Sequence, residues 1–183
     1  MSPTRIQNRC EPVRSFGRAE DGTAAVEFAL CLPLLLVLLF AGIEIGRLLI
    51  DFHVVSKSLR DSGRYLSQVG ISCAAPGTVP LSAAIENAAD ETIARNLALT
   101  GTPDAPATAA DYLLPYWTGA GNLTISVACV ANTAYQGIYQ GAPLIGQITV
   151  DADVPFSFIW GSSFISLGTL TMNISHRQPH IGG

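Results

Sequence analysis

An α+β fold is expected: a long N-terminal transmembrane and amphipathic helix spine packed against a small antiparallel sheet head, with a second helix. Three observations lead there. Phe28 to Ile43 holds 16 residues without a charge. An apolar stripe at alternating steps of three and four continues to Val69, the spacing of one helix face. Beyond residue 122 the apolar period changes to two, the spacing of strands with one buried face.

The totals agree with an anchor plus one domain. The chain has 183 residues, 49% hydrophobic and 13% charged. That charge fraction is about half the roughly 25% of a soluble domain, and a membrane segment explains the shortfall. The net charge of −4 is unevenly spread. Arg5, Arg9, Arg14 and Arg18 precede the apolar run, whereas from residue 70 onward seven acids (Glu86, Asp90, Glu91, Asp104, Asp111, Asp151, Asp153) stand against Arg95 and Arg177. An acidic distal part argues against a nucleic-acid partner, which needs cations to meet phosphates.

The apolar run alone is a little short of the roughly 20 residues that span a bilayer. Counting from Thr23 to Ile50 gives 28 residues, or about 42 Å of helix, which is ample with Glu27 and Glu44 near the two interfaces. The four arginines predict a cytoplasmic N-terminus and a head outside the inner membrane, in the periplasm. A secretory signal peptide is the competing reading, but Leu39-Phe40-Ala41 and Phe40-Ala41-Gly42 both put a bulky residue at the outer cleavage subsite. A lipoprotein signal ending at Cys31 fails because Leu30 is large and Cys31 lies early in the run. Pro33 predicts a kink in the membrane helix more than a break.

Glu27 sits just inside the edge of the apolar run, where a carboxylate is costly. From its position alone it either snorkels to the headgroups or takes a cationic partner. Around it, Gly22-Thr23-Ala24-Ala25-Val26-Glu27-Phe28, then Leu32-Pro33-Leu34-Leu35, then Glu44-Ile45-Gly46-Arg47 resemble the start of TadE-like proteins, minor pilins or pseudopilins of Tad (Flp-type) pilus systems in bacteria. The resemblance covers residues 20 to 69. It implies a pilin-like architecture, a structural role in pilus assembly (adhesion, surface attachment, biofilm) with no enzymatic activity, and other pilins of the Tad machine as partners. It also implies a membrane prepilin peptidase that removes residues 1–22 by cutting between Gly22 and Thr23. Glu27 and Phe28 would then be the fifth and sixth mature residues. The new amine at Thr23, one helical turn from Glu27, would pair with that carboxylate on its own or a neighbouring subunit. The mature protein would remain a single-pass membrane protein or enter an extracellular pilus.

Glu44 and Arg47 stand three residues apart and can pair on one helix face; the plain reading is an interfacial pair at the outer leaflet. From there Ile45, Leu48, Phe52, Val55, Leu59, Ser62, Leu66 and Val69 form the stripe. The expected domains are therefore a leader 1–22, a transmembrane helix 23–50, and an extracytoplasmic region 51–183 that begins with a helical extension 51–69. A helix continuous from Thr23 to Val69 would be about 70 Å long. Its stripe packs on the chain's own head or on a neighbouring subunit, the former being the usual fate of an amphipathic face.

Gly70 and the Cys73–Gly77 stretch break the helix. Leu81, Ile85, Ala89, Ile93 and Leu97 repeat every four residues, predicting a helix over about 81–99 that Gly101 and Pro103 stop. Residues 100–122 read as a long loop. Strands are expected over about 123–130, 147–154 and 169–175. Between the last two, Phe156, Phe158, Trp160 and Phe164 either cap the core or present a contact surface.

Cys10 falls in the leader and Cys31 in the membrane, so Cys73 and Cys129 form the one exported pair and suggest a disulfide; two separate buried thiols are the alternative. Chemistry is otherwise sparse. His176 and His180 have a zinc-compatible spacing on a helix, but Pro179 lies between them. Asp151 and Asp153 are too few for a calcium site. No nucleophile–base constellation, phosphate loop or metal cluster is legible, so no metal, cofactor or small-molecule substrate is expected. A single-span envelope protein with a ligand- or surface-binding head is the alternative to the pilin reading, and a secreted enzyme a third.

Overall fold

The computed structural model describes residues 19–106, 108–118, 121–133, 137–159 and 170–181. The arginines and Cys10 of the expected leader, and Trp160 and Phe164 of the aromatic stretch, lie outside the described residues. The chain divides into two compact units between Gly42 and Ile43.

Helix α1 runs Ala19–Leu66, continues through Pro33 and contributes to both units. In the first unit every described side chain from Gly22 to Leu39 is exposed, with Phe28 at 62% and Leu30 at 74%. Exposure of so many large apolar groups suits lipid, and α1 is long and apolar enough to cross a membrane. In the second unit α1 becomes amphipathic. Val55, Leu59, Ser62 and Leu66 are fully buried in the head, whereas Ile45 and Phe52 of the same predicted stripe stay exposed. A strict repeat of 3.5 drifts around a helix of 3.6, so its ends leave the buried face.

A four-stranded antiparallel sheet in the order β1-β2-β3-β4 supplies much of the rest of the core. β1 is Gly77–Pro80, β2 Leu123–Ala131, β3 Leu144–Phe156 and β4 Leu170–Pro179. Leu123, Ile125, Val127 and Cys129 of β2 alternate inward with Ile148, Val150, Ala152, Val154 and Phe156 of β3 and with Met172 and Ile174 of β4. The register pairs Val127 with Ile148, and Ala152 with Ile174, so one face of the sheet is continuous hydrocarbon. β3 extends beyond the expected 147–154 at both ends. β4 continues to Pro179, making strand of residues that read as a tail. β1 had no periodic signal: four residues ending in proline suit an edge strand.

The helix expected over about 81–99 is two helices. α2 spans Leu81–Ala84 and α3 spans Ala88–Thr100. Ile85 turns extended and bridges to Ile71, and Asn87 caps α3 by accepting from the Ala89 N–H at 3.1 Å. Gly101, at φ 75°, closes α3 with its N–H on the Leu97 carbonyl. The buried face of α3 is Ala94 and Ala98, not the four-residue series. Small side chains there let α3 approach α1 closely, and the Ser62 hydroxyl donates to the Ala94 carbonyl at 2.8 Å. Within the expected loop 100–122, Leu114 and the fully buried Trp117 fill the core.

Candidate functional site

The candidate processing and assembly residues lie on the first turns of α1. Gly22 has open space where a side chain would be, Glu27 is exposed, and Phe28 is exposed beside it. Four residues separate Thr23 from Glu27, about 6 Å of rise on one helix face. A proteinase or an adjacent helix can reach this surface without displacing any described side chain.

Glu44 and Arg47 have more structure around them than their spacing revealed. They form an ion pair at 3.0 Å, with Glu44 only 7% exposed. The Glu44 carboxylate also accepts the Ile159 N–H at 2.8 Å. The Arg47 guanidinium lies 5.5 Å from the centre of the Phe156 ring, and that ring meets Phe158 edge-on at 5.1 Å. One turn further, the Tyr116 hydroxyl donates to Asp51. Burial, and next this bond to an anion, hold the Tyr116 phenol well above its ordinary range. The pair is thus part of a polar clamp that fastens the chain after β3, and the loop after α3, to α1. Burying Glu44 is tolerated because both its charge and its lone pairs are matched. Neither Ile159 nor Tyr116 carries a sequence signal for this role, since the contacts span 115 and 65 residues.

Cys73 and Cys129 are bonded, with their Cα atoms 5.7 Å apart. The bridge ties the segment after α1 to β2, beside the Gly77–Cys129 pairing of β1. Cys31 is a free, exposed thiol on α1. The two histidines do not converge on a metal: His180 Nε2 lies 2.8 Å from the Val69 carbonyl, while His176 packs on α1 at Gly63. Among the described residues no three potential metal ligands cluster. Asp151 and Asp153 lie on the outward face of β3, where Asn173 donates to Asp153.

The first unit is thus an exposed apolar helix start, and the second a clamped, disulfide-bonded head. Comparison with known families finds a likeness confined to α1. Residues 22–64 match the TadE-like protein family model. The TadE-like segment takes in the Gly22–Phe28 start, the apolar run, the Glu44–Arg47 pair and most of the buried face of α1. It points to a Tad pilus-associated protein with an N-terminal apolar helix. No curated protein and no solved structure matches the chain.

Proposed function

We propose that this chain is a minor pilin or pseudopilin of a Tad-type pilus machine, processed between Gly22 and Thr23 and held in the inner membrane, head outward, before or during assembly. The observation that carries the proposal is the TadE-like match beginning at Gly22, on a helix whose first unit exposes almost all of its apolar surface. Lipid or neighbouring pilin helices cover such a surface. Cleavage would place the Thr23 amine one turn from Glu27, and an amine from a neighbour at the same site would neutralise the carboxylate only in the correct axial register. The disulfide and the Glu44 clamp would keep the head folded outside the inner membrane while the helix is moved.

The test is the N-terminal sequence and mass of the membrane-extracted protein, made with and without the prepilin peptidase. A peptidase-dependent start at Thr23 supports the proposal. An intact start in both strains overturns it and leaves a single-span envelope protein with an external binding head.

A further inference from the structure

Three of the head's cations share one ridge of α1. At about 100° per helical residue, Lys57, Arg60 and Arg64 fall within about 60° of each other and roughly opposite Leu59, Ser62 and Leu66. All three cations are exposed, while those opposite them are fully buried. None of the three has an ion-pair partner among the described residues, where Arg47–Glu44 and Arg95–Glu91 form pairs. Asp61, half-buried on the flank of the ridge, offsets part of its charge. On the far side of the head, the outward face of the sheet presents Asp151 and Asp153, opposite Ser175 and Asn173 of β4.

Two contacts between β3–β4 and α1 relate the height of one feature to that of the other. The Phe156 ring of β3 lies against the Arg47 guanidinium of α1. Val150 pairs with His176, and His176 packs on Gly63. Taking ~3.3 Å per strand residue and ~1.5 Å per helix residue, Asp151 and Asp153 lie level with roughly residues 55–61 of α1. The carboxylates are about 7 Å apart along β3, and Lys57 and Arg60 about 5 Å apart along α1. Identical copies related by a sideways translation keep equal height. Moving one copy sideways therefore brings its ridge against the carboxylates of the next.

We propose that the Lys57–Arg60–Arg64 ridge of α1 is a lateral docking surface for a second copy of this chain, which it meets on the outward sheet face at Asp151 and Asp153. The contact is heterologous, front to back, so it continues from copy to copy instead of closing into a dimer. Arg177, opposite Thr149 on the same sheet face, sits above the two carboxylates. It repels the neighbour's Arg64 and so sets the register at Arg60 with Asp151 and Lys57 with Asp153. Anionic lipid is the weaker occupant: Arg60 and Arg64 lie about 15 and 21 Å past Ile50 along the helix, beyond a headgroup layer of about 5–8 Å. This deepens the assembly proposal above and shares with it only the common membrane, because the ridge is the same before and after cleavage at Gly22.

The test uses full-length chains bearing donor or acceptor fluorophores on an added C-terminal tag, in phosphatidylcholine vesicles. Energy transfer reports association, and intact Cys73–Cys129 bridging checks folding. K57E/R60E and D151K/D153K should each weaken self-association about tenfold, as expected for the loss and reversal of two partly exposed pairs. Mixing the two reversed chains should restore association, and 0.5 M salt should weaken the parent chain. Association unchanged by either reversal, or not restored on mixing, overturns the proposal. An effect of K57E/R60E that appears only with phosphatidylglycerol present also overturns it, assigning the ridge to headgroups. The Thr23 start is measured separately, so failed docking and failed processing are told apart.

Discussion

Cys73 and Cys129 close a loop with a sequence separation of 56, and their loss should be the largest single defect available to the head. The chain-entropy model gives an entropy of roughly −14 cal/mol/K for a loop of that size, or about 4 kcal/mol at 25 °C. The local structure adds to this. Cys129 is 5% exposed and belongs to the core, and Cys73 Sγ lies 3.7 Å from the position a side chain would take at Gly146. β1 is an edge strand paired with β2 on one side, so it loses its entry point when the bridge opens. The perturbation is Cys73→Ser with Cys129→Ser, compared with the parent chain under oxidising and reducing conditions. At roughly 3–5 °C per kcal/mol for a head of this size, the melting temperature should fall by about 12–20 °C. Circular dichroism of the full chain in detergent is less informative than tryptophan emission, because α1 dominates the helical signal while Trp117 is buried in the head. A shift under about 3 °C in both the variant and the reduced parent would refute the reasoning, showing that α1 and the sheet already restrict the loop.

Glu44→Ala leaves the Ile159 N–H and the Arg47 guanidinium unmatched; with Arg47 partly exposed, the expected cost is about 1–3 kcal/mol, visible as faster proteolysis after β3. Gly63→Val places a side chain against His176 Cδ2, 3.1 Å from the new Cβ, and should cost about 1–3 kcal/mol by overpacking. Adding His176→Ala should recover part of that loss in the same thermal melts, and no recovery would put the strain elsewhere. Tyr116 has a folded pKa raised above its ordinary 10.0 by burial and then by its bond to Asp51. Its contribution is therefore complete below pH 10 and is lost as pH climbs toward the raised value. Tyr116→Phe should flatten the fall in stability above pH 10 in urea titrations; an unchanged fall would assign it to other groups.

How far the chain can be read without its structure follows from the range of each interaction. The apolar run from Phe28, the buried turns around Val55 and Leu59, and the alternation in β2 and β3 are periodic patterns within a few residues, so hydrophobicity reveals them. The TadE-like start is local for the same reason. The helix expected from Leu81 onward was misread where a distant group won: Ile85 left the helix to bridge Ile71, and Asn87 restarted it. β1 was missed because an edge strand of four residues has no period to show.

The linear chain alone determined a charge-free apolar run able to enter lipid, an amphipathic continuation, strands with one apolar face, and the two cysteines that lie beyond that run's helix. Those properties depend on composition and spacing. Tertiary folding decided that Glu44 is buried against Ile159, that Asp51 holds Tyr116, and that His176 of β4 packs on Gly63 of α1. Such facts depend on strand order and register, which bring together residues up to 115 positions apart. Short-range preference cannot encode them, because each partner is chosen only once the sheet has packed on α1.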